Sequence, residues 1–243
     1  MGWFRRGMGR LAWFSLWLLV LAPIGALGLA AVVDRGPEGS LGASPFYLAL
    51  ALWDPFARAC IFNSLVVAAG VTAGSLVLGG GLARLAERRR FWGRRPLAAL
   101  ILAPLAVPPL FGAIGLLWLL RPEGDQRWLA LVWLYLAAGV PRVAQAAGAV
   151  LRRIEPTWED AARVVGASRR RLWWSLLWPI VRPEAARAAA EVFMLMLLEP
   201  GAPLVLGLRR TLAFQVVEAA LAPDAAHRAA ALGVVGVCVL YTS

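Results

Sequence analysis

Apolar and polar positions alternate along this chain on the scale of whole helices rather than single turns. The apolar runs are Leu11–Val33, Cys60–Leu85, Leu97–Leu120, Trp128–Leu151, Ala185–Leu208 and a last one opening at Ala229. The first five are each 23 to 26 residues long, enough to cross a hydrocarbon core of about 30 Å. They predict an all-α polytopic membrane protein, a six-helix bundle in a single transmembrane domain, 1–243. The sixth run meets Ser243 after fifteen residues. That is roughly 22 Å of helix, and it reads as a truncated helix 6 or as half of a two-repeat protein.

Punctuation inside the runs refines this. Leu11–Val33 follows Arg5, Arg6 and Arg10, as a signal peptide would. It exceeds a signal core in length and reads as a retained helix. Pro104, Pro108 and Pro109 predict that the third helix is kinked or partly unwound. Gly70 and Gly74 in the second allow close helix approach. Between helices 1 and 2, Asp34–Arg58 reads as a loop containing a short interfacial helix, Phe46–Trp53.

Composition adds orientation. The chain is 60% apolar with a net charge of +11, carried by 25 Arg and no Lys. Such charge can mark a nucleic-acid partner, but here the arginines cluster in short runs between membrane-length segments, so no nucleic acid is expected. Seventeen lie in the N-terminus, in the 84–95 loop and in 152–187, against seven in the alternate loops. Arginine excess marks the cytoplasmic side, so a multi-pass inner-membrane protein with a cytoplasmic N-terminus follows. The 84–95 run reads as a positive-inside anchor, or as a site for acidic membrane lipids.

The absence of Lys rules out a standard P-loop, which needs Gly-Lys-Ser or Gly-Lys-Thr. HExxH and GxSxG are also absent, and there is one His, His227, at a loop end. No cofactor, metal or catalytic set is expected, and any ATP hydrolysis belongs to another subunit. Cys60 and Cys238 have no metal or redox spacing and read as packing residues.

The longest polar interruption runs from Glu155 to Pro179 within the 152–184 loop. Pro156 suits a first helical turn, and Glu159 and Asp160 suit its positive end. Gly166 can adopt the left-handed conformation that ends a helix, and Ser168 can cap a second helix from Arg169. Trp158, Ala161, Ala162 and Val165 share one shallow apolar face, suited to another protein's groove. A plain amphipathic juxtamembrane helix is the other reading.

Asp160-Ala161-Ala162, three residues, Gly166, nine residues and Leu176-Leu177-Trp178-Pro179 resemble the signature loop of bacterial ABC importer permeases. Its pattern is Glu-Ala-Ala, three residues, Gly, nine residues, Ile-x-Leu-Pro. Asp160, Leu176 and Trp178 depart from it, while Glu159 keeps a carboxylate one position earlier. Asn63-Ser64-Leu65 is similar to the family too, and so is the order of membrane segments. The resemblance implies that Glu159, Asp160, Ala161, Ala162, Gly166 and Pro179 couple the chain to a cytoplasmic ABC ATPase subunit. It also implies a second permease copy or homologous half, and an extracytoplasmic solute-binding protein.

Glu199-Pro200-Gly201-Ala202-Pro203 lies twelve residues past Arg187, roughly 18 Å deep. A carboxylate beside a Pro-Gly break at that depth marks either a translocation pathway or a structural kink. The stretch resembles the Glu-Phe-Gly-Ala-Pro of permeases for ferric iron, thiamine and phosphonates, with Pro200 in place of Phe. Arg142 falls between Glu191 and Glu199 in depth and is expected to bridge to one of them, with Arg142 and Glu191 as the candidate intramembrane ion pair. An ion-coupled secondary transporter using Glu199 and Arg142 is the alternative function. Ferric iron, thiamine, polyamines, sulfate and phosphonates are the candidate cargoes.

Overall fold

The computed structural model describes residues 13, 15, 19, 21–35, 41–43, 46–89, 91–222 and 226–242. Arg5, Arg6, Arg10 and most of the first half of the expected helix 1 lie outside them. The described chain falls into two compact units, one from the two chain ends (up to Phe62 and from Arg210) and one from Asn63–Arg209.

In the first unit, α1 (Leu21–Val32) leads into a two-stranded antiparallel ribbon, β1 (Val33–Arg35) with β2 (Leu41–Ala43), in the register Asp34 opposite Gly42. The expected interfacial helix is α2, Phe46–Trp53. Its C-terminal Asp54 accepts from the Phe56 N–H at 3.0 Å and so starts the first turns of α3 (Pro55–Arg88). The expected loop 209–228 instead holds a helix, α11 (Leu212–Leu221), packed on α12 (Ala226–Thr242). Its Leu212 joins Ala31, Ala57, Leu232 and Val235 in one buried cluster. That burial explains why the segment folds rather than staying a solvated loop. His227, read from the sequence as a loop-end residue, donates from Nδ1 to the Ala30 carbonyl at 2.9 Å. Cys60 is buried as a packing residue, whereas Cys238 is exposed.

The second unit carries the rest of α3 and the helices α4 (Arg94–Leu102), α5 (Pro109–Leu120), α6 (Gln126–Arg153), α7 (Pro156–Val164), α8 (Arg169–Leu172), α9 (Trp178–Leu198) and α10 (Gly201–Leu206). Among the described residues, α3 and α6 are each long and apolar enough to cross a membrane. The third expected span is broken. Pro104 opens a 3-10 turn, Pro108 and Pro109 restart the helix, and the two halves bend by 95°. The fifth also differs from expectation: α9 starts at Trp178 and carries Arg182, Glu184, Arg187 and Glu191. Such charges along a helix in a membrane protein imply a face turned away from lipid.

Small residues set the spacing of α3 and α6. A Cβ on Gly79 would lie 2.7 Å from the Val140 carbonyl oxygen, and one on Gly74 2.8 Å from Leu136. Gly70 meets nothing within 4 Å. The close approach therefore falls at Gly74 and Gly79, and not at Gly70 of the Gly70–Gly74 pair that the sequence suggests. Alanines continue the theme where α6 packs on α9: Ala138, Ala144 and Ala147 are buried on one, Ala185, Ala188 and Ala189 on the other.

Candidate functional site

Two places gather the polar residues of the second unit. The first is α7 and its anchorage. Glu155 precedes the helix in extended conformation and Pro156 opens it. Its end is a complete Schellman turn: Gly166 N–H reaches the Arg163 carbonyl at 2.9 Å and Ala167 N–H the Ala162 carbonyl at 3.0 Å. Gly166 has φ +84°, a conformation that costs other residues about 1–2 kcal/mol. Ser168 then caps α8 through its Oγ, which accepts from the Arg171 N–H at 3.3 Å.

Between α8 and α9 the chain widens into a π turn, Trp173–Leu177, closed by Trp178 N–H on the Trp173 carbonyl. Pro179 explains it, because proline offers no N–H to the Ser175 carbonyl and its ring crowds that oxygen. Trp173 stacks under the Arg84 guanidinium at 4.4 Å, and Trp174 meets Trp178 edge-on at 5.8 Å.

The helix presents three different faces. Trp158 and Val165 are 54% and 88% exposed, and Ala161 beside them is open. Asp160 is exposed and pairs with Arg163 at 3.2 Å. Ala162 packs inward against a cluster that includes Leu151, Ile154 and Leu172. Glu159 also turns inward: only 8% of it is exposed. Its Oε1 lies 3.0 Å from Arg88 Nε, at an angle too bent for a hydrogen bond, and its Oε2 is 3.5 Å from Arg163. Arg88 Nη2 donates to the Leu151 and Ile154 carbonyls at 2.8 and 3.1 Å. Those carbonyls end α6, where a cation is favoured. Beside this cluster, Glu87 bridges Arg152 at 2.6 Å and Arg94 at 3.1 Å. The sequence reading missed Glu87 and Arg88. The signal available was a single carboxylate, Glu87, inside a run of arginines.

The second place is a groove of about 1040 Å³ between α6 and α9, lined by Arg142, Gln145, Glu184, Arg187, Glu191 and Glu199 among others. The structure brings Arg142, Glu191, Glu199 and Pro200 to one wall set. It does not form the expected ion pair between Arg142 and Glu191. Arg142 Nη1 instead donates to the Ala138 carbonyl in its own helix. That carbonyl lies next to Ala137, the residue whose helical bond Pro141 removes.

Glu199 is committed to the break between α9 and α10. Its Oε1 accepts from the Gly201 N–H at 2.9 Å, and its Oε2 from the Ala202 N–H at 3.0 Å. Tyr135 Oη donates to the Glu199 carbonyl at 3.1 Å and to Oε2 at 3.2 Å. Gly201 fits because a Cβ there would sit 2.9 Å from the Leu110 Cβ and 2.7 Å from Glu199 Oε1.

This helical membrane fold, with its capped loop helix and polar groove, is similar to solved structures. A bacterial alginate ABC transporter in complex with alginate pentasaccharide-bound periplasmic protein matches with a TM-score of 0.76 at 14% identity, over 99% of this chain and 91% of that one. An amino acid ABC transporter matches at 0.55 and 15% identity, over 81% and 92%. The fold is thus that of an ABC transporter permease. Residues 75–242 match the family described as the binding-protein-dependent transport system inner membrane component, and the chain belongs to that family.

Its relatives include the molybdate/tungstate permease protein WtpB of Thermococcus kodakarensis, 28% identical over 63% of this chain and 62% of that protein. The Fe(3+)-transport permease protein FbpB 2 of Haemophilus influenzae is 23% identical over 80% and 37%. The molybdenum permease protein ModB of Mycobacterium tuberculosis is 29% identical over 71% and 72%. The chain spans less than two thirds of the length of the first two. The ferric type expected from Glu199–Pro203 is among these relatives, and molybdate is a cargo name that the residues alone did not suggest.

Proposed function

We propose that this chain is the membrane-spanning subunit of an ATP-driven importer, with α7 as the element that a cytoplasmic ABC ATPase grips. The observation that carries this is the division of labour on α7. Trp158, Ala161 and Val165 stand exposed, while Glu159 and Ala162 fasten the helix from behind. An anchored helix with an uncovered shallow apolar face is what a helix-in-groove contact requires. The arginine asymmetry puts this loop and the N-terminus on the cytoplasmic side.

The groove on α6 and α9 is one wall of the solute path in this reading, completed by a second permease copy or homologous half and supplied by an extracytoplasmic solute-binding protein. The relatives are named for an oxyanion, a trivalent cation and, in the galactooligosaccharide permease protein GanQ of Bacillus subtilis, a sugar. The shared architecture is therefore separable from cargo chemistry. The ion-driven alternative has less to work with, since Glu199 already accepts from Gly201, Ala202 and Tyr135.

The test is co-purification in mild detergent of the tagged chain with the ABC ATPase encoded nearest to it. Wild type is expected to retain the ATPase, and Val165→Glu to lose it while reaching the membrane in equal amount. Equal retention by both would remove α7 from the contact.

A further inference from the structure

We propose that Arg88 is the positioning residue that ties α7 to α3, so that a displacement of α7 reaches the transmembrane helices as one body. This rests on α7 being the docking helix. The covalent chain joins α7 directly to α6 through Ile154 and Glu155, but α3 lies more than sixty positions earlier in sequence. Arg88 is an α3 side chain whose polar atoms face both, beside the apolar packing of Ala83 in the cluster that Ala162 joins. From one guanidinium, Nε faces the Glu159 carboxylate at 3.0 Å and Nη2 holds the Leu151 and Ile154 carbonyls at the C-terminal end of α6 at 2.8 and 3.1 Å.

The arrangement is shielded from water. The Arg88 and Glu159 side chains are 13% and 10% exposed, so the attraction between them is weakly screened. The planar fork of arginine can hold two carbonyls by hydrogen bonds while its Nε edge faces a carboxylate on another element, whereas the ammonium of lysine is a single point on a flexible stem. A charge alone at position 88 would not reproduce the link. The neighbouring bridges of Glu87 to Arg152 and Arg94 join α3, α6 and α4 but do not reach α7. Removing Arg88 therefore takes away the polar tie between α3 and α7, leaving the apolar contact of Ala83 and Ala162 with their shared cluster. Arg88 also lies off the exposed face of Trp158 and Val165, so its loss leaves the docking surface present.

The experiment uses the full chain co-purified with its ATPase and reconstituted in proteoliposomes, with Cys60 and Cys238 replaced by Ala and Gln145→Cys as a reporter on the groove. Labelling of that cysteine by a membrane-impermeant maleimide is measured before and after trapping the ATPase with ADP and vanadate. The arginine-containing protein is expected to show a roughly tenfold change in labelling, as a shift between two conformations produces. Arg88→Gln is expected to keep the ATPase bound and to show labelling that trapping no longer changes. Arg88→Lys is expected to lose most of the response as well, which a plain requirement for positive charge would not give, and it serves as the readout should Arg88→Gln fail to accumulate. A full vanadate response in either variant overturns the proposal while leaving the docking of α7 intact. Failure of the parent chain to retain the ATPase overturns the docking reading and this inference with it.

Discussion

Glu159 and Glu199 stand out in the sequence for the same reason, a negative charge where the surroundings are basic or apolar, yet the two regions neutralise them in opposite ways. At the loop end Glu159 meets two cations, Arg88 and Arg163. In the α9–α10 break Glu199 meets only neutral donors, two peptide N–H groups and a phenol. Near the membrane surface a long arginine can fold onto a carboxylate and still pack its stem. In the interior, fixed peptide dipoles at a helix start do the same work without importing a second charge. Both carboxylates turn out to hold architecture together, and the surfaces left for function are what surrounds them: the uncovered side of α7, and the groove that Arg142 and Glu191 line without pairing.

The sharpest way to break this comparison is to make the same substitution at both sites. Glu159→Gln leaves Arg88 without its counter-charge in a place with little water. It is expected to cost about 3 kcal/mol, the lower end for breaking a buried pair. Glu199→Gln keeps one amide oxygen but turns an NH2, which cannot accept, toward a peptide N–H, and is expected to cost about 2 kcal/mol. Thermal unfolding of the detergent-solubilised proteins checks the order. Equal losses would mean that the cations around Glu159 contribute no more than the peptide groups around Glu199.

The difference between the two regions also explains what the sequence made legible. Local signals read correctly: the Pro156 start, the Gly166 stop, the Ser168 cap, the Phe46–Trp53 helix and the break at Glu199–Pro200 each depend on residues within a few positions of one another. Contacts between distant segments did not read. Nothing near Arg88 in sequence announces the Leu151 carbonyl, and Tyr135 gives no sign of meeting Glu199. The expected Arg142–Glu191 pair shows the same limit from the other side. Depth along two helices was estimated well enough to place both residues on one groove, but rotation about the helix axes, set by the alanine contacts of α6 and α9, decides whether charges touch. The 209–228 segment reads as a loop because its Pro, Asp and Arg flanks hide a ten-residue apolar helix that becomes stable only when Leu212 is buried with α12.

A smaller effect separates two glycines, one at each site. Gly201→Ala meets a crowded site, with Leu110 and Glu199 inside contact distance of the new Cβ, and is expected to cost about 1–3 kcal/mol by overpacking. A bulkier residue there is expected to do worse, so that stability falls in the order Gly, Ala, Asn. Melting temperatures of the three proteins read that order directly.

Gly166 presents the reverse case and the smallest expected change. No atom lies within 4 Å of a Cβ built there, and the only obstacle is its φ of +84°. Gly166→Ala is then expected to cost about 1 kcal/mol, the conformational penalty alone. Asn tolerates the left-handed region better than Ala despite its size, so stability at this position should fall in the order Gly, Asn, Ala. The inversion of Ala and Asn between positions 201 and 166 is the discriminating result. If Ala outranks Asn at both, side-chain volume governs the turn after α7 as well. The apolar face of α7 would then be set by packing against something nearby rather than by the Schellman geometry that ends the helix.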